Sequence, residues 1–192
     1  FSGYTDIALG MGKIIGIKLP ENFDYPYTSQ SIGEFWRRWH MTLSGWFREY
    51  VFYPLERKRA RVLGQQINLV IVFLLTGLWH GVTINFLIWG GIHGVAIAVE
   101  SLIGRWQKTI WRPVRHLATL VIVMVGWVFF RSPSVDYALA FMGRLVGNGQ
   151  GITPLPFSMT TPLPFLETTF LLVLKDAFIF SIPVIHIWNK IR

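Results

Sequence analysis

The sequence predicts an all-α protein: a polytopic helical bundle in a membrane, with amphipathic helices lying at the interface or re-entering from it. Three observations carry this. Of the 192 residues, 52% are hydrophobic and only 15% charged, against about 25% charged in a typical soluble domain. From Val62 to Val99 there is no Asp, Glu, Lys or Arg. The 9 Trp and 6 Tyr suit membrane–water boundaries, where an apolar ring meets a wet polar tip.

The elements follow in order. Residues 1–18 are mildly apolar and glycine-rich, with Asp6 and Lys13 among them. They read as the end of a membrane helix followed by an interfacial one. Pro20, Asn22, Asp24, Pro26 and Ser29 mark a loop over 19–31. Ser31-Ile32-Gly33-Glu34 fits a capping box, in which Ser and Glu satisfy the free N–H groups of a helix start. An amphipathic helix over about 32–48 should follow, since Phe35, Trp39, Leu43, Trp46 and Tyr50 recur at helical spacing. Arg37, Arg38, Ser44 and Arg48 occupy its other faces, which makes it too polar to cross a bilayer freely.

The uncharged run from Val62 to Val99 would measure roughly 57 Å as one helix, against a hydrocarbon core of about 30 Å. It must break, and Gly81 with its β-branched neighbours is the best place. Spans are expected over about 64–79, 84–103, 116–130 and 165–188, the last interrupted by Lys175-Asp176. Between the last two, residues 131–163 read as a short helix and a Pro/Gly-rich loop. The whole chain, 1–192, reads as a single membrane domain, and its apolar, Met-less start as a fragment of a longer polypeptide.

The formal net charge is +8. The positives (Arg57, Lys58, Arg59, Arg61; Arg105, Lys108, Arg112, Arg115) flank apolar runs, so positive-inside topology explains them better than nucleic-acid binding. Cysteine is absent, which excludes a thiol nucleophile, a disulfide and a thiolate metal site. Neither a P-loop, a dinucleotide fingerprint nor a Gly-x-Ser-x-Gly elbow occurs. No metal site is expected: His80 and His93 lack the i, i+4 spacing of a helical zinc pair, and no carboxylate is near either in sequence.

Chemistry points first to His80, within the uncharged run. A polar group at that depth is costly without a partner, and a neutral imidazole is what a general base needs. For such a histidine, function and a core hydrogen bond weigh about equally. His40, on the amphipathic helix, needs no functional explanation as an interfacial residue. His93, in Gly90-Gly91-Ile92-His93-Gly94, suggests close helix packing. His116 and His186 read as interface residues. Arg37, Arg38 and Arg48 could hold a phosphate, although snorkelling alone accounts for them.

The stretch from Pro20 to Tyr50, PENFDYPYTSQSIGEFWRRWHMTLSGWFREY, shifts these odds. It resembles the signature region of bacterial membrane-bound O-acyltransferases, especially the membrane subunits of alginate O-acetyltransferases, and more distantly teichoic-acid D-alanyl transfer proteins. Phe1–Ala8, Gly77–Gly81, Trp89–Gly94 and Gly126–Arg131 resemble further family segments in the same order. The likeness covers roughly residues 1–145 and departs at Glu56-Arg57-Lys58-Arg59, where members often carry a Gly-Gly-Asn-Arg-like turn.

The resemblance implies the C-terminal part of that family's core. His80 matches its catalytic histidine and His40 its second functional histidine, a slot that eukaryotic relatives fill with Asn or Asp. Asp6, Trp36, Arg37, Trp39, Ser44 and Asn85 are the expected supporting or substrate-binding residues. It further implies no permanently bound cofactor, an acyl donor such as acetyl-CoA, and a polysaccharide acceptor outside the cytoplasm. The setting would be the bacterial inner membrane, crossed several times, with membrane lipid around the bundle and a periplasmic or extracellular acetyltransferase as partner. A transporter or export scaffold is the rival reading, since a broken helix at 79–83 and Lys175-Asp176 suit it too. A weaker one is a basic interfacial protein holding anionic lipid through Arg57 to Arg61.

Overall fold

The computed structural model describes residues 1–58, 62–104 and 109–147. The regular structure among them is helical, with one isolated antiparallel bridge between Phe23 and Trp39. Phe1–Val135 form one compact unit and a second begins at Asp136. In the second, α8 (Val135–Leu145) is amphipathic and buries Ala138. The segment 165–188 with Lys175, Asp176 and His186 lies outside the described residues, as do Arg59, Arg61, Arg105 and Lys108.

Three helices frame the first unit: α5 (Gly64–His80), α6 (Ile84–Ile103) and α7 (Arg112–Arg131). The uncharged run thus turns at Gly81-Val82-Thr83. α6 and α7 are long and apolar enough to cross a membrane. Their 20 residues each rise about 30 Å, the thickness of the hydrocarbon core. α5, with 17 residues, rises about 25 Å and falls short of it. Much of the outward surface is apolar, including Val95, Val99, Leu102, Leu117 and Val121, as lipid contact requires.

Neighbouring helices run antiparallel and are tied at both ends. Gln66 Nε2 donates to Ser101 Oγ at 2.8 Å, and Asn85 Nδ2 donates to the Ser132 carbonyl at 2.7 Å. α5 and α6 approach backbone to backbone, because a methyl group at Gly77 would overlap the Phe86 carbonyl and one at Gly90 the Phe73 carbonyl. Small residues permit such an approach where no water-driven collapse holds helices together. Arg57 and Lys58 precede α5, and Arg112 and Arg115 open α7, so these four basic residues lie at one end of the three-helix frame.

The segment before α5 departs from expectation. Residues 1–18 form one helix, α1 (Ser2–Ile14), with an irregular tail. The single amphipathic helix expected over 32–48 is two, α2 (Ile32–Arg38) and α3 (Met41–Phe47). One π-helical turn (Arg48–Phe52) then leads into α4 (Tyr53–Glu56). The break has a non-local cause. The loop over 19–31 takes the backbone bonds that would have continued the helix: Asp24 N donates to Arg38 O at 2.9 Å, and Met41 N to Asn22 O at 3.0 Å.

Candidate active site

His80 is the last residue of α5 and is half-buried. Aromatic rings from three helices surround it. Centroids lie 4.8 Å away for Trp79, 5.2 Å for Trp89, 4.9 Å for Phe130 and 6.1 Å for Phe86. The first three meet the imidazole edge to face, an arrangement that fixes a ring without using its nitrogens. Gly81 makes this possible: a methyl there would come within 2.6 Å of the Phe86 ring. The imidazole nitrogens of His80 have no hydrogen-bond partner among the described residues.

His40 sits in the break between α2 and α3, in the left-handed region at φ 45°, ψ 55°. A non-glycine residue there carries roughly 1–2 kcal/mol of strain, and such strain concentrates at functional sites. Asn22 holds it. Asn22 Oδ1 accepts from Thr42 N at 3.1 Å and Thr42 Oγ1 at 2.9 Å, and meets His40 Nδ1 at 3.3 Å. The Thr42 amide can only donate, so the Asn22 atom is an acceptor and His40 Nδ1 must carry the proton. The neutral ring then keeps its lone pair on Nε2. Burial also lowers the His40 pKa from its ordinary value, which favours that neutral form.

The two histidines share one neighbourhood. The Trp79 ring lies 6.4 Å from that of His40 and 4.8 Å from that of His80. Replacing Asn22 with Leu should free the His40 tautomer and lower turnover roughly tenfold while the protein still accumulates. A group that fixes the tautomer and orientation of a functional histidine commonly matters by about 10–100-fold, and a wild-type rate in the purified variant would refute the role.

The other sequence-predicted residues separate into distinct roles. Trp36 is buried, and its Nε1 donates to His93 Nδ1 at 3.2 Å. Trp39 stacks on Phe35 with centroids 5.6 Å apart and leans on Trp127 at 4.9 Å. Ser44 Oγ donates to the Trp39 carbonyl at 3.3 Å across the helix break. Asn85 ties α6 to α7, with its Oδ1 buried and unpartnered. Asp6 and Arg37 are exposed and make no hydrogen bond or ion pair among the described residues. His93 is 0% exposed, and Gly126 leaves room for its Nε2. His116 Nδ1 donates to the Ser29 carbonyl at 2.9 Å.

Sequence reasoning missed Asn22, Glu100 and the aromatic wall of Trp89, Phe86 and Phe130. Asn22 carried only a loop signal, and Glu100 only the end of the uncharged run. A polar cleft of about 450 Å³, lined by Gln30, Glu34, Arg112 and Arg115, opens at the basic end, and neither histidine lines it.

The model of the MBOAT, membrane-bound O-acyltransferase family matches residues 1–135, the same span as the first compact unit. The "Probable alginate O-acetylase AlgI" of Azotobacter vinelandii is 48% identical over 72% of this chain and 28% of its own length. A "Peptidoglycan O-acetyltransferase" of Helicobacter pylori is 40% identical over 81% of the chain and 30% of its own. A "Teichoic acid D-alanyltransferase" of Bacillus subtilis is 36% identical over 67% and 35%. The chain therefore spans about a third or less of each of these relatives. Matched by the family model over most of its length, it belongs to the membrane-bound O-acyltransferase family.

Proposed function

We propose that this chain supplies the histidine site of a membrane-embedded O-acyltransferase. The enzyme moves an acyl group, acetyl first among the options, from an activated donor such as acetyl-CoA to a hydroxyl of an extracytoplasmic polysaccharide. The observation that carries this is the grouping of His40 and His80 around Trp79, with the His40 lone pair fixed on Nε2. His80 accepts the hydroxyl proton as the oxygen attacks the acyl carbonyl. The carbon–sulfur bond breaks, and the proton passes from His80 to the leaving thiolate. Neutral His40 can only accept through Nε2, so it does not polarise the carbonyl; it orients a reactant through another N–H or O–H donor, since the attacking hydroxyl's single proton goes to His80. Trp89 and Phe130 shield one side of half-buried His80 from water, which slows wasteful hydrolysis.

The protein crosses the bacterial inner membrane several times, and the remainder of the enzyme closes a passage reaching the histidines from both faces. A periplasmic or extracellular acetyltransferase receives the group and completes transfer. The relatives' names support an acyl group and an envelope polymer as the shared chemistry.

The test uses purified full-length protein with labelled acetyl-CoA and an acceptor polysaccharide. Release of CoA with label on the acceptor is expected. Flux of substrate without acyl transfer would establish the transporter instead. In the same assay kcat/KM should fall on the acid side, through an apparent pKa below the ordinary histidine value of about 6.5. The sign follows from the lowered pKa: the neutral, accepting form of His40 persists as pH falls, and is lost only below that lowered value. A rate that rises toward acid pH would contradict it.

A further inference from the structure

α2 is held by a carboxylate from another helix. Glu100 lies in the last turn of α6. Its Oε1 accepts from Ile32 N at 2.6 Å and its Oε2 from Gly33 N at 2.9 Å. Ser31 Oγ accepts from Glu34 N at 3.0 Å, and Phe35 N makes the first intrahelical bond, to Ser31 O at 2.9 Å. Every N–H in the first turn of α2 is therefore satisfied, two of them from 67 and 68 residues away.

For α6 this placement is unfavourable. A carboxylate in the last turn opposes the helix's own dipole, whereas at the start of α2 it is favourable. The arrangement makes sense for α2 and not for α6. A second clamp, the Trp36–His93 bond, joins the same two helices one turn further along. α2 then ends in Trp39 and the strained His40.

We propose that Glu100 is a positioning residue: by capping α2 from α6, it sets where α2 delivers His40 beside His80. The inference rests on the reading of His40 and His80 as one active site. Glu100 itself touches no reactant. It acts through the pose of a seven-residue helix that is too short to hold its own shape.

A double-mutant cycle in the full-length protein tests this, using Glu100→Gln, His40→Asn and the pair. Glu100→Gln should lower kcat roughly ten- to hundredfold with KM for the donor little changed, since small misplacements cost on that scale. Added to His40→Asn, it should lower the rate no more than about twofold further, because both act on one group. Multiplicative losses would mean general damage and overturn the proposal. So would a wild-type rate for Glu100→Gln, or a slow Glu100→Gln beside an unimpaired His40→Asn. Glu100→Asp keeps the charge but shortens the reach and serves if the Gln variant fails to accumulate; if neither accumulates, Glu100 is purely structural and the proposal falls. Failure of the active-site reading is separately visible, as retained activity in His80→Ala.

Discussion

Replacing His80 with Ala in the full-length protein is expected to cut acyl transfer at least about a hundredfold, the lower range for loss of a general base, without reducing the amount of folded protein. The second half of that expectation comes from the structure. His80 is held by rings and not by hydrogen bonds, so its removal strands no buried donor or acceptor, which is the costly way to lose a polar side chain. It is also half-buried at the end of its helix, where a truncated side chain can be replaced by solvent. His80→Gln should be as inactive, because it keeps polarity and comparable size but cannot take a proton near neutral pH. The measurement is label transferred per mole of purified protein, with monodispersity in detergent as the control. Normal turnover in either variant would remove His80 from the mechanism.

What could be read beforehand followed from local chemistry. Half of the expected capping box forms: Ser31 Oγ accepts from Glu34 N, but the Glu34 carboxylate does not return to Ser31 N. Glu34 turns its own carboxylate to Gln30 N at 2.9 Å and to Arg38 at 3.0 Å. The turn at Gly81 was legible because an uncharged run of that length cannot stay in one bilayer crossing. The break at Trp39-His40 was not legible. Helical periodicity runs straight through it, and its cause is the loop around Asn22 to Asp24, more than a dozen residues earlier. The same holds for the tautomer of His40 and the cap from Glu100. Each is set by a partner whose residue type carries no information about where the chain will bring it. Motif order therefore suggested which residues form the candidate site, and tertiary contacts set the geometry they adopt.

The glycines of α6 give the sharpest structural test, since Gly90 and Gly91 are indistinguishable in sequence yet differ in surroundings. A Cβ at Gly90 would overlap the Phe73 carbonyl oxygen and crowd Leu74 Cα at 3.3 Å. These are backbone atoms of α5, which cannot swing aside as a side chain can. A Cβ at Gly91 meets only a Leu74 methyl, at 4.0 Å. Gly90→Ala must therefore push α5 and α6 apart, at a cost of about 1–3 kcal/mol or more. Gly91→Ala should be neutral, or slightly stabilising through helix propensity. Thermal unfolding of the two variants in detergent should separate them clearly, and equal midpoints would show that the hairpin is not packed this closely. Activity should follow stability for a geometric reason. Trp89, next to Gly90, forms one wall of the His80 site from α6, while His80 itself ends α5. A wedge between the helices thus opens the candidate site along the seam where the Trp89 wall meets His80.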